Sequence, residues 1–389
     1  MPNICRLCES KLFDKPSLKL SGMPKAAQYF PEKKDFLDDK GIDLNIYQCS
    51  SCGLVQLNIN PVDYFKEVIT AASISKDAKI SRLKQMKNFV SRFNLKGKKV
   101  IEIGSASGSM LDILEESGLK ATGLESSLKS VETGKSSGRN MINGYLGDIE
   151  KIKGSPYDSF VTFNYLEHMP NPGNFIKKIY SNLVENGVGM ITVPNLDYLL
   201  RTKCFYEFVA DHLSYFTKET LKYAFEINSF EIIDCELINN DNDILAVVKK
   251  KKNIKKKQNF KKPIQINLSK DFEEVKILIN DLRNIVSKYT KDNKKVVIWG
   301  AGHRTLALLA LSNLKNIEFV VDSAKFKQNK FTPVIHSPIL SPENLKKEKI
   351  DLIIVMVPGI YPDEVIKAVK KMGIVSDLAK LKDNKIEFI

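Results

Sequence analysis

Apolar positions along the chain fall into short β-rich runs separated by stretches with helical spacing, a pattern that starts at residue 99. Lys99-Val-Ile-Glu-Ile103 reads as a strand, and small residues follow from Gly104 to Gly108. Met110-Leu111 and Ile113-Leu114 then carry the spacing of an amphipathic helix. Ala121-Thr-Gly-Leu124, Ser159-Phe-Val-Thr-Phe163 and Gly189-Met-Ile-Thr-Val193 predict further strands, with residues 175–183 as an intervening helix. Another element is expected to end at Gly147-Asp148-Ile149. Upstream, residues 76–93 predict a helix with Ile80, Leu83, Met86, Phe89, Val90 and Phe93 on one side. The alternation restarts at Asn293, with Lys295-Val-Val-Ile-Trp299, a helix over 305–314 and the strand Glu318-Phe-Val-Val321. Strands alternating with helices imply a parallel, doubly wound sheet with its ligand at the carboxyl ends of the strands.

The turn after the first strand is where chemistry enters. Glu102, Gly104, Ser105 and Gly108 form Glu-x-Gly-x-x-x-Gly at a strand-to-helix junction. Glycines there let a nucleotide-like ligand approach the backbone at a helix N-terminus. The spacing differs from the Gly-x-Gly-x-x-Gly of dinucleotide sites. Glu125, ending the next strand, stands where a ribose-binding carboxylate belongs. Asp148 and Ile149 are placed to meet an adenine ring, and Asn164 opens the loop Asn164-Tyr-Leu-Glu-His-Met-Pro170 after the fourth strand. Residues 64–73 are positioned to cover such a pocket as a lid.

The chain has only four histidines, His168, His212, His303 and His336, each in a loop-like motif. His168 lies at the carboxyl end of the fourth strand. His212 lies in Val209-Ala-Asp-His-Leu-Ser-Tyr-Phe-Thr217. Asp211 beside it and Tyr215 nearby can orient and tune a general base; the simpler reading is that Asp211 and His212 pack against the following helix.

Cysteine spacing adds a separate module. Cys5-x-x-Cys8 and Cys49-x-x-Cys52 are two knuckles able to present four thiolates to one zinc ion. Disulfides and redox pairs are the competing readings. Four thiolates leave no open position, so such a metal is structural. Cys204 and Cys235 stand alone as expected buried thiols.

Composition changes this picture little. At 389 residues the chain is long enough for two or three domains, and its 43% hydrophobic and 27% charged content is that of a globular protein. The net charge of +14 suggests an anionic partner, but nine lysines lie between Lys249 and Lys262, leaving about +5 elsewhere. That run reads as a solvated linker or an attractor of anionic ligands. Nucleic-acid binding through the knuckles and lysines is not the expectation. With no signal sequence or apolar span, neither is a membrane, and a cytoplasmic location is expected.

Taken together, the Cys pairs, the motifs at successive strand ends, the His212-Leu-Ser-Tyr-Phe216 loop and Trp299-Gly-Ala-Gly302 followed by Val320-Val-Asp322, Lys327-Gln328 and His336 resemble the three-domain nucleotide-sugar C-methyltransferases. The resemblance implies a Rossmann-like α/β class I methyltransferase core behind a zinc-binding module, with a Rossmann-like α/β domain at the C-terminus. Expected boundaries are 1–62 for the zinc module, 63–248 for the core, 249–270 for a basic linker and 271–389 for the last domain. It implies S-adenosylmethionine and zinc as cofactors and a nucleotide-diphosphate sugar as substrate, within bacterial surface-glycan or branched-sugar biosynthesis. Gly300, Gly302, His303 and His336 would lie near that sugar nucleotide, in a monomer or small homo-oligomer. Carbon methylation through an enolate with His212 as base is the implied chemistry, with Tyr215, His168 or Asp211 steadying the enolate oxygen. Family members usually carry Tyr-His-Glu-His where this chain has Val209-Ala-Asp-His212, and Gly-Ser-Asn-Asp-Gly where it has Gly104-Ser-Ala-Ser-Gly108. The first departure leaves O- or N-methylation of a glycan precursor as the alternative. A non-catalytic assembly role is the remaining one.

Overall fold

Alternate residues of the central strands face opposite sides of the first sheet. In the computed structural model, which describes residues 3–66, 76–252, 263–357 and 361–389, Val100 faces one apolar cluster while Ile101 and Ile103 face another. Phe160 and Val161, and Met190 and Ile191, divide the same way, so both faces of the sheet are covered. In space the seven strands run Phe230–Ile238, Asp243–Lys250, Leu183–Pro194, Tyr157–Phe163, Lys99–Ile103, Lys120–Glu125 and Met141–Asn143. All adjacent pairs are parallel except those made by Asp243–Lys250, which is antiparallel to both neighbours. Sequence order reverses between Lys99–Ile103 and Tyr157–Phe163, so the loops after these two strands border the crevice where open α/β sheets bind ligands. On the helix Lys76–Arg92 the expected apolar stripe is buried at Met86, Phe89 and Val90, whereas Ile80 is 67% exposed.

The second sheet lies in the C-terminal half, in the order Lys330–Phe331, Pro338–Leu340, Phe319–Val321, Val296–Trp299, Leu352–Val355, Asp377–Lys382 and Lys385–Phe388. Its five inner strands are parallel and its two outer pairings antiparallel. The helix Phe272–Lys291 buries Val275, Leu278, Ile279, Leu282 and Val286, the spacing of one helical face.

The two compact units interleave along the chain. One comprises Met1–Lys15, Tyr47–Asp197 and His212–Gln265; the other comprises Pro16–Ile46, Tyr198–Asp211 and Ile266–Ile389. The expected boundary at 62 is therefore not a unit boundary. Residues 16–46 go with the C-terminal sheet because the Leu268 and Phe331 amides donate to the Ser17 and Pro31 carbonyls, and because Asp39 accepts the Val334 amide. Much of the expected linker, residues 253–262, lies outside the described residues, as do residues 67–73 of the expected lid. Among the described residues no helix is long and apolar enough to cross a membrane.

Candidate active site

At the carboxyl end of Lys99–Ile103 the backbone turns through three left-handed residues, Gly104 (φ +75°), Ala106 (φ +47°) and Gly108 (φ +83°), into the helix Ser109–Glu116. A Cβ on Gly104 would stand 2.6 Å from the Tyr165 ring, so only glycine fits there. Buried Glu125 stitches the turn: its Oε2 accepts the Ala106 amide at 2.9 Å and its Oε1 the Ser127 amide at 2.8 Å. Glu102 is also buried, and one of its carboxyl oxygens has no partner. Burial, with Glu125 adding to it and Arg82 opposing, lifts Glu102 well above the usual carboxylate range.

Asn164 follows the neighbouring strand in a left-handed conformation, its Oδ1 accepting the Thr192 hydroxyl at 2.5 Å. Ser105 is buried beside the turn. The element expected to end at residue 149 is shorter, Met141–Asn143, because the Asn143 side chain turns back to the Glu125 and Ser126 carbonyls. Asp148 thus lies in the loop beyond it, exposed and paired with Lys66 at 2.6 Å, while Ile149 packs half-buried against the core. The described start of the lid, Phe65 and Lys66, meets the Tyr145 ring.

Three polar side chains converge nearby. Glu167 and His168 lie on the short turn Leu166–His168, and the His168 ring meets the His212 ring edge-on, centroids 4.8 Å apart. The Leu213 amide donates to the Glu167 carbonyl at 2.8 Å, tying the His212 loop to that turn. Tyr215 lies 6.0 Å from His212, ring to ring, on the strand Ser214–Tyr215, which pairs with Val55 and Gln56. Carboxylate and imidazole atoms of Glu167, His168 and His212 all lie within 4.8 Å of one another, with His168 Nε2 4.0 Å from Glu167 Oε1. Burial pushes Glu167 up to about 8, and its Oε2 has no partner. The unfolded carboxyl loses its proton near its ordinary value and the folded one only near 8, so stability falls as pH rises between them. Glu167→Gln should therefore match the parent in thermal midpoint at pH 5 and exceed it at pH 8; an unchanged difference across that range would contradict a neutral buried acid.

Asp211 ends a segment of the other unit, where its Oδ2 accepts the Ala27 amide at 2.6 Å. In that unit Gly300 (φ +113°) is required, since a Cβ would stand 2.7 Å from Val357. Gly302 caps the helix His303–Ser312, and Asp322 accepts the Ala301 amide and the Lys327 ammonium. Glu207 accepts from His303 and from Arg304, each at 2.6 Å. His336 is held elsewhere, its ring stacked on Phe36 at 4.0 Å and its Nε2 3.1 Å from buried Asp39. The expected substrate residues therefore fall into two clusters, each built around an acid that motif reading does not assign. Glu207 has one sequence signal, a charge inside the apolar run Phe205-Tyr-Glu-Phe-Val209.

The four knuckle cysteines meet as expected. Cys5 and Cys52, and Cys8 and Cys49, have sulfurs 3.6 Å apart, far beyond a disulfide bond and close to the roughly 3.8 Å edge of a tetrahedral zinc–thiolate site. The Leu7, Ser51 and Cys52 amides point at the sulfurs of Cys5 or Cys49, as negative thiolates require. Of the lone thiols, Cys204 is buried and Cys235 half-buried.

The chain is similar to known methyltransferases. Residues 78–234 match the family model of a methyltransferase domain, and residues 244–375 match that of a C-methyltransferase C-terminal domain. The chain is an S-adenosylmethionine-dependent methyltransferase, and its first sheet has the class I Rossmann-like strand order. Over 345 residues, 82% of this chain and 81% of the relative, it is 23% identical to C-methyltransferase NovU of Streptomyces niveus. It belongs to the C-methyltransferase family. Similar solved structures include the PH0226 protein of Pyrococcus horikoshii, at 17% identity and a TM-score of 0.40 over 49% of this chain and all of that one. Another is magnesium protoporphyrin IX methyltransferase of Synechocystis, at 15% identity and a TM-score of 0.38 over 49% of this chain and 97% of that one.

Proposed function

We propose that the chain methylates a carbon atom of a nucleotide-activated keto-deoxy sugar, in the making of a branched sugar or surface glycan. The observation that carries this reading is the His168–His212 pair with Tyr215, beside a glycine turn at the sheet's switch point. Bound S-adenosylmethionine supplies a methyl group on a sulfonium, electrophilic enough for a carbanion to take without further activation. The protein must then make the carbanion and hold it in place. His212 withdraws the acidic proton from the carbon beside the ketone, and Tyr215 or His168 stabilises the charge left on the carbonyl oxygen. Asp211, fixed by the Ala27 amide, holds the start of that loop.

On the cofactor side, Glu102, Gly104, Ser105 and Gly108 line the turn, Glu125 holds the ribose, and Asp148, Ile149 and Asn164 border the base and methionine ends. Gly300, Gly302 and His336 belong to the sugar-nucleotide side. One zinc ion on Cys5, Cys8, Cys49 and Cys52 is structural. Incubation with S-adenosylmethionine and a panel of keto sugar nucleotides tests the reading. S-adenosylhomocysteine should form one-for-one with a product whose NMR spectrum shows a C-methyl group; an O- or N-methyl product, or no turnover with any of them, would overturn it.

Glu125→Ala tests the cofactor side. Charge-assisted bonds to ribose hydroxyls contribute about 1.5–3 kcal/mol each. The change should weaken S-adenosylmethionine binding by roughly one to two orders of magnitude in calorimetry, at 1.4 kcal/mol per tenfold. Unchanged affinity would mean that Glu125 serves only to brace the Ala106 amide.

A further inference from the structure

We propose that Glu207, His303 and Arg304 form a clamp that sets the position of the chain leading into His212, making His303 and Arg304 positioning residues for methyl transfer. This rests on His212 acting in the chemical step. The segment Tyr198–Asp211 packs within the C-terminal unit, and His212 is the next residue. Four ties fix the segment's end. Lys203 pairs with Asp271 at 2.7 Å, and the Tyr206 hydroxyl donates to the Asp383 carbonyl at 2.5 Å. Glu207 receives His303 and Arg304 at 2.6 Å each, and Asp211 takes the Ala27 amide.

The Glu207 tie differs in kind from the others. Both its carboxylate oxygens are used, one by an imidazole and one by a guanidinium, so the acid is fixed in direction as well as distance. The donors are the first two residues of the helix His303–Ser312, whose N-terminal dipole also favours an acid there. Arg304 in turn lies over the Tyr206 ring at 5.7 Å, and Phe205, Tyr206 and Phe208 on either side are fully buried. Burial opposes charge on both partners, but His303 and Arg304 hold Glu207 below the usual carboxylate range, and Glu207, with Asp211 adding to it, raises His303. The glycine motif of the last domain thus ends in a His-Arg pair that grips the active-site loop, a use distinct from contact with the sugar nucleotide.

The test uses the full-length protein with Glu207→Gln, His303→Gln and the double variant. Hydrogen–deuterium exchange, read without substrate, should quicken about tenfold or more in residues 204–213 of Glu207→Gln and stay unchanged over the glycine turn 100–108. Turnover should fall roughly 10–100-fold while acceptor KM moves less than about threefold, as expected for misplaced chemistry rather than lost binding. The double variant should be no slower than the worse single one, because both remove the same link. Unchanged exchange in 204–213, additive losses in turnover, or a raised acceptor KM with turnover kept would each overturn the clamp, the last returning His303 to substrate contact. Should Glu207→Gln fail to fold, Arg304→Lys keeps the charge but loses the planar fork, and must show the same pattern at smaller amplitude. Exchange is independent of the acceptor, so the clamp and the sugar assignment can fail separately.

Discussion

Turnover of His212→Ala should drop by ~10²–10⁴-fold, the loss expected when a general base is removed, with S-adenosylmethionine affinity nearly unchanged. At 1.36 kcal/mol per tenfold this is about 2.7–5.4 kcal/mol of transition-state stabilisation. The expectation comes from geometry. His212 follows the anchored Asp211, its neighbour Leu213 is bonded to the Glu167 carbonyl, and its ring meets His168 and Tyr215. A second measurement isolates proton removal from methyl transfer. In D₂O without cofactor, the parent should exchange the hydrogen beside the acceptor's ketone, and His212→Ala should not. Full turnover by the variant would transfer the assignment to His168. Exchange lost together with folding, judged by thermal midpoint, would instead mean that His212 supports the loop; no exchange by the parent would favour an oxygen or nitrogen acceptor.

Local rules make the glycine turn legible and leave the Glu207 contacts hidden. The Glu102-to-Gly108 turn is written in contiguous residues because left-handed backbone and close approach to Tyr165 demand glycine at fixed positions. The meeting of Cys5, Cys8, Cys49 and Cys52 is equally readable, since two Cys-x-x-Cys pairs stand out as short local patterns. By contrast, Glu207 meets His303 across 96 residues and Asp39 meets His336 across 297, and no short-range pattern encodes such pairings. Periodicity also reads faces without reading what covers them: Ile80 continues the apolar stripe of Lys76–Arg92 yet remains in solvent. The interleaving of units has the same origin. Residues 16–46 look like the middle of a zinc module in sequence, but the amides of Leu268, Phe331 and Val334 bond to Ser17, Pro31 and Asp39 within it.

Replacing Cys5 and Cys8 by Ser should lower both stability and activity far more than the size of the knuckles suggests. Cys5, Leu7, Leu12, Cys49, Cys52 and Leu54 belong to the same apolar cluster as Phe175, Phe216 and Phe225 of the methyltransferase core. Within the first knuckle, Arg6 donates to the carbonyls of Leu57, Ile59 and Pro170, the last only two residues from His168. Its amide is taken by Gln56, which pairs with Ser214 in the short sheet that carries Tyr215. Without a metal, four thiolates within 4.8 Å repel one another, so the knuckles open and these links go with them. Binding of zinc to such sites contributes on the order of 10–16 kcal/mol in isolated finger peptides, enough to dominate the folding of this segment. Protein made without chelators should contain about one zinc per chain. The double variant should contain none, melt at a lower temperature and lose most turnover. Activity lost at an unchanged thermal midpoint would show the metal to be catalytic, and zinc-free parent protein of equal stability would show that the cysteines hold no metal.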